Sequence, residues 1–176
     1  MRLPGTERTL RRLVDEHYDS LYRFAYRLSG SSNDADDLTQ EAFCKAQVNL
    51  GQLRDVSRAR CWLFQILRNL YVQKMRAAKR RACLSLDELG EPPVWTGELP
   101  AEVDSQQLQS VLNALPEAFR TPLILYYFDD FSYRDIADQL GVPIGTVMSR
   151  LARAKAFLRQ RWSLVTSSRS PDRSGG

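Results

Sequence analysis

Apolar residues recur at three- and four-residue spacing along most of the chain, and no stretch keeps the two-residue alternation of a strand. Leu10, Leu13, Val14, His17, Leu21, Phe24, Ala25 and Leu28 predict a helix over 9–28, ended by Ser29-Gly30-Ser31-Ser32. Asn33 or Asp34 is placed to cap a second helix reaching about residue 50, with acids in the first turn, where the helix dipole favours them. Gly51 closes that helix, and 52–57 reads as a loop. A third helix is predicted over 57–81, with Trp62, Leu63, Ile66, Leu67, Leu70 and Met75 on its apolar side.

Between 84 and 104 the pattern fails. Gly90, Pro92, Pro93, Gly97 and Pro100 oppose a regular element, so this stretch reads as a flexible linker. A short helix follows, from 103 or 104 to 114. Another opens at Leu115-Pro116 and runs to 127 or 128, with Pro122 in its first two turns, where a missing N–H costs little. Asp129-Asp130-Phe131 breaks it, and helices are expected over 132–140 and 144–162. The tail 163–176, rich in Ser, Arg, Gly and Pro, is expected to be disordered. The fold class is all-α, with two small helical domains, 1–83 and 105–162.

Composition removes several function classes. The 176 residues contain no apolar run long enough to span a membrane, and the arginine-bearing N-terminus lacks the apolar core of a secretory signal, so a cytoplasmic protein is expected. Three cysteines (Cys44, Cys61, Cys83), no CxxC and a single histidine give poor support to a disulfide framework or a zinc site. The cysteines read as buried or half-buried thiols. No Gly-rich phosphate loop and no Ser/His/Asp or Cys/His set is present, which argues against an enzyme; neither metal nor cofactor is expected.

Charge sharpens the picture. The net +4 divides into −1 over 1–55, +8 over 56–81 with no acid, −7 over 82–119 with no base, and +4 over 120–176. Basic blocks this pure suggest a polyanion partner, although each alone would also suit a solvated helix face. In the last block, Ser132 to Leu151 has the pattern of a helix-turn-helix. Ser132 caps with Asp135 at the capping-box position, Ile136, Ala137 and Leu140 face inward, Gly141 permits a left-handed turn, and Val142 fills the corner. Val147 and Leu151 form the buried side of the second helix, which turns Thr146, Ser149, Arg150 and Arg153 outward. A recognition helix in the major groove needs such a face.

In the third helix, Trp62, Phe64 and Tyr71 are interleaved with Arg68, Asn69, Lys74, Arg76, Lys79, Arg80 and Arg81. Rings that stack on bases beside cations that follow the backbone suit single-stranded or partly melted DNA, while Trp62 reads equally as core. In the second helix, Asp34, Asp37 and Glu41 share a face beside Leu38, Ala42 and Phe43. This acidic stripe with adjoining apolar surface fits docking onto a basic protein surface, or is simply solvated.

Together Asp34-Ala-Asp-Asp-Leu-Thr-Gln-Glu-Ala-Phe43, Trp62-Leu-Phe-Gln-Ile-Leu-Arg-Asn69, Leu115-Pro-Glu-Ala-Phe-Arg120, Phe131-Ser-Tyr-Arg-Asp-Ile-Ala137 and Gly145-Thr-Val-Met-Ser-Arg-Leu-Ala-Arg-Ala154 resemble the bacterial extracytoplasmic-function (ECF) sigma factors of RNA polymerase. The resemblance covers about residues 10–162 in family order. It implies a sigma-2-like three-helix domain and a sigma-4-like helix-turn-helix domain, joined by an acidic linker that threads toward the polymerase active site. It further implies a subunit that directs initiation at promoters with −35 and −10 elements and melts the DNA. The implied partners are core RNA polymerase (the clamp of the largest subunit and the flap of the second-largest), promoter DNA and an anti-sigma factor, without membrane insertion. Asp34, Asp37, Leu38, Gln40, Glu41 and Phe43 fall at the implied polymerase contacts. Arg58, Arg60, Trp62, Arg68, Asn69, Lys74 and Arg76 fall at the implied −10 contacts. Tyr133, Thr146, Met148, Ser149, Arg150, Arg153 and Lys155 fall at the implied −35 contacts.

Three residues depart from the family pattern: Gln65 where arginine is usual, Met148 where a cation often follows Gly-Thr-Val, and the small Ala152. Base reading at the −35 element is therefore expected to shift to Ser149 and Arg153. The competing expectation is a self-sufficient helix-turn-helix regulator with an N-terminal dimerisation or sensor domain, which would bind duplex DNA without polymerase.

Overall fold

The computed structural model describes residues 4–82 and 105–167, and the side chains of 7–80 and 105–161. The linker expected at 84–104 and the cysteine at 83 lie outside the described residues, as does the tail beyond 167. Within them the chain is helical throughout: α1 (Pro4–Ser29), α2 (Ser32–Asn49), two short 3-10 turns (Leu50–Gln52 and Val56–Arg58), α3 (Ala59–Ala82), α4 (Ser105–Ala114), α5 (Glu117–Tyr127), α6 (Tyr133–Leu140) and α7 (Ile144–Ser167).

The ends of these helices follow local chemistry, not always as expected. α1 starts earlier than Thr9, at Pro4, whose fixed φ suits a first helical position. It stops at Gly30, which takes φ +72° and donates its N–H to the Tyr26 carbonyl at 2.7 Å. The cap of α2 is Ser31 rather than Asn33 or Asp34; its hydroxyl accepts from the Asp34 N–H at 3.3 Å. α2 ends at Asn49, just before Gly51, and passes into a 3-10 turn, Leu50–Gln52, that contains the glycine. Pro116 caps α5, and Pro122 stands in its interior, so the bond a normal residue would donate to the Ala118 carbonyl is missing. α7 runs on to Ser167, five residues past the expected end at 162, so the first part of the expected disordered tail is helix.

α1, α2 and α3 pack on one another around Leu13, Leu21, Phe24, Leu28, Leu38, Leu63, Phe64 and Leu67. α4 to α7 enclose Leu112, Leu115, Leu123, Ile124, Ile136, Val147 and Leu151. The two cores join. α1 lies against α4 and α5, α3 against α6, and the Phe64 and Phe131 rings meet across the boundary at 5.0 Å.

Candidate protein and nucleic-acid interfaces

On α2 the residues at helical spacing i, i+3, i+4 and i+7, namely Asp37, Gln40, Glu41 and Cys44, are all exposed. With Leu38 between them and Leu70, Gln73, Lys74 and Ala77 of α3 opposite, they line one shallow groove. Asp34 belongs to the same end of the helix but is engaged: the Lys74 ammonium donates to it, and that bond holds the Asp34 carboxyl below its ordinary range. Two expectations are corrected here. Leu38 and Phe43 are only 2% and 9% exposed, because α2 is covered by α1 on one flank and α3 on the other; both belong to the core, and of the two only Leu38 also borders the groove. Cys44 is an exposed thiol, not a buried one.

α3 presents Arg58 at its approach, then Asn69, Lys74, Arg76, Lys79 and Arg80, all exposed, with no acid among them. Trp62 is half-buried. Phe64 and Tyr71 are 0% and 3% exposed, which removes both from any stacking platform. Their rings point inward because they share the face of Leu63, Leu67 and Leu70. Lys74 sits on the α2 groove through its pair with Asp34, so it belongs to the acidic face rather than to the basic one. Arg60 and Arg68 turn toward the second domain, where Arg60 lies 3.9 Å from Asp129 and Arg68 lies 3.5 Å from Glu117. Cys61 is half-buried, and burial pushes its thiol up.

The helix-turn-helix is built as its sequence pattern requires. Ser132 caps α6, accepting from the Asp135 N–H at 3.1 Å while its hydroxyl donates to the Asp135 carboxylate at 2.5 Å. Gly141 takes φ +63°, and the N–H of Val142 donates to the Ala137 carbonyl at 3.1 Å. Val147 and Leu151 are buried, which leaves Met148 and Ser149 exposed and Thr146, Arg150 and Arg153 half-exposed on the other side of α7. Ser149 donates its hydroxyl to the Thr146 carbonyl at 3.0 Å. Two residues of the expected DNA set have partners within the domain. The Lys155 ammonium lies 5.1 Å above the Tyr127 ring, and Tyr133 stacks on Tyr126 at 4.8 Å.

Sequence reasoning missed the residues that join the domains: Gln109, Arg120 and Asp129, all under a tenth exposed. A polar residue on an apolar face is their only signal, and it says nothing of the partner. It also missed Asp130, which holds φ +55° in the turn between α5 and α6. Among the described residues no helix is long and apolar enough to cross a membrane.

Comparison with known proteins gives this geometry a family. Residues 13–81 match the model for sigma-70 region 2, and residues 105–158 match that for sigma-70 region 4. The chain is 30% identical over 161 residues to the ECF RNA polymerase sigma factor SigW of Bacillus subtilis, covering 85% of this chain and 86% of the relative. It is 35% identical over 153 residues to the ECF RNA polymerase sigma factor SigL of Mycobacterium tuberculosis, covering 85% of this chain and 86% of that one. Among solved structures it resembles the sigma factor RpoE bound to the anti-sigma factor NepR from Bartonella quintana, with a TM-score of 0.72 and 30% identity over 88% of this chain and 96% of that one. The chain therefore belongs to the ECF group of the sigma-70 family, the non-catalytic RNA polymerase subunits that direct promoter-specific transcription initiation.

Proposed function

We propose that the exposed face of α2, carried by Asp37, Gln40 and Glu41, docks on the clamp of the largest polymerase subunit, and that the second domain meets the flap of the second-largest. The acid-free surface of α3, with Arg58, Trp62, Asn69 and Arg76, serves the −10 element and its melting. Thr146, Ser149 and Arg150, near the start of α7, read base edges of the −35 element, as the N-terminal part of a recognition helix does. Arg153, nearly three turns in, holds a phosphate. The partner that restrains this chain is an anti-sigma factor, the class of protein bound to the RpoE relative.

One observation carries this reading: the first domain segregates its charge, exposed carboxylates on α2 and an acid-free basic surface on α3. A protein partner of basic surface and a polyanion can then be engaged at once from different faces. The test is Asn69→Ala in the reconstituted holoenzyme on a linear promoter template. Core polymerase binding should be unchanged, while permanganate reactivity of unpaired thymines should fall severalfold. Full reactivity would remove Asn69 from the melting surface.

A further inference from the structure

We propose that Ile144 and Met148 form an apolar edge of the recognition helix and read the C5-methyl groups of thymines in the −35 element. This rests on the reading of α7 as the −35 reader and adds which bases one side of that helix selects. Ile144 and Met148 are 45% and 52% exposed, although Val147 and Leu151 of the same helix are buried. The start of α7 is fixed by the Pro143 carbonyl, which accepts from the N–H groups of Thr146 at 2.9 Å and Val147 at 3.2 Å. Met148 follows Ile144 by four residues, about 40° round the helix and about 6 Å along it. Ala152, half-exposed, continues the same line.

The outward face of α7 therefore has two unlike edges. Ile144, Met148 and Ala152 make one, and Thr146 and Arg150 make the other. Between them the centre is low. Gly145 has no side chain, and nothing stands within 4 Å of the place a Cβ would take. Ser149 is small, and its hydroxyl hydrogen is already given to the Thr146 carbonyl at 3.0 Å. A helix with a low centre sits deep in a groove, so both edges reach base edges at once. The polar edge suits hydrogen-bonding groups; the apolar edge needs something else.

Chemistry decides what that is. An isoleucine offers no donor or acceptor, and a methionine thioether is only a weak acceptor. A base carbonyl or amino group pressed against them would lose its water and gain no hydrogen bond. The apolar group that an ordinary base pair shows in the major groove is the thymine methyl. Met148, unbranched and freely rotating, adapts to its exact position. The rise of about 6 Å between the two side chains spans about two base-pair steps at ~3.4 Å each, so one or two adjacent positions are selected. The surroundings favour DNA over a protein as the occupant. α7 carries five cations and no acid, a surface that draws a polyanion. Two side chains on one helical turn also fall short of the several hundred Å², roughly, of contiguous apolar surface that marks a protein partner.

The experiment uses holoenzyme reconstituted from core polymerase and the full chain. It first selects promoter fragments from a pool randomised over the −35 region. The recovered element should hold thymine, on either strand, at one or two adjacent positions. Replacing such a thymine by deoxyuracil removes only the methyl. For the parent this should raise Kd roughly three- to fivefold per methyl, the effect of burying one such group. For Met148→Ala and Met148→Gln, thymine and deoxyuracil should bind within about 1.5-fold at one of these positions, while Met148→Leu should keep the penalty. Met148 is exposed, so the variants should fold with the parent's urea midpoint. A recovered element without thymine would overturn the proposal, as would an equal deoxyuracil penalty in the parent and Met148→Ala. Deoxyuracil tolerated throughout by the parent would overturn it too, whereas a base preference abolished by Thr146→Ala/Arg150→Ala would leave α7 standing as the −35 reader. Recovery of no preferred −35 sequence would remove both readings. Loss of core polymerase binding by Met148→Ala, with the deoxyuracil response unchanged, would assign the edge to a protein partner and overturn the proposal.

Discussion

Replacing Asp37 and Glu41 by lysine inverts the exposed face of α2 without touching its core. Both carboxylates are exposed, and among the described residues neither has an ion-pair partner, so folding stability should change by no more than about 0.5 kcal/mol. They stand four residues apart, about 6 Å along one helix face, close enough to meet a single basic surface. Losing one side of a desolvated charge pair costs about 2–5 kcal/mol, much of it from the charge left without its partner. Two neighbouring contacts that share a partner surface do not add, so the double reversal should lose roughly that range, a 30-fold to several-thousand-fold rise in Kd. Asp34→Asn is the internal comparison. Its pair with Lys74 is 41% and 45% exposed, and such a pair contributes at most about 1 kcal/mol to folding. Its loss should therefore be felt in the urea midpoint more than in docking. The assay is interferometry on immobilised core polymerase at two salt concentrations, with the deficit shrinking at the higher one as screening grows. Binding by Asp37→Lys/Glu41→Lys within threefold of the parent would refute the assignment of this face.

Arg153→Ala should weaken binding of the holoenzyme by a similar factor on all −35 variants and reduce the salt slope by about one, as expected of a phosphate contact; a loss confined to one base pair would make it a base reader instead. Gly141→Ala should cost about 1 kcal/mol in a urea melt, because open space surrounds the position but φ +63° disfavours a Cβ; an unchanged midpoint would contradict the left-handed turn. Asp130→Gly should stabilise by up to about 1 kcal/mol for the mirror-image reason, and a lower melting temperature would count against strain at φ +55°.

The amino-acid sequence by itself determined the helices and most of their ends. Spacings of three and four residues are a local property, and so are the cap at Ser132 and the left-handed Gly141. It also determined the family, because five motifs in order carry it. Which side of each helix faces out was only partly legible. Phe43 looked like docking surface and is core, and Leu38 keeps only an edge on the groove, since burial depends on what covers both flanks of α2. Phe64 and Tyr71 looked like stacking rings and point inward for the same reason. Lys74 looked like a DNA contact, but a partner 40 residues away, Asp34, draws it to the other face. The join between the domains lay beyond the sequence altogether. Gln109 and Arg120 satisfy carbonyls 82 and 92 residues earlier in the chain, and backbone acceptors carry no residue identity from which such a pairing could be read. Only the tertiary structure decided it, because a carbonyl becomes a site when a helix ends beside a donor from elsewhere in the fold.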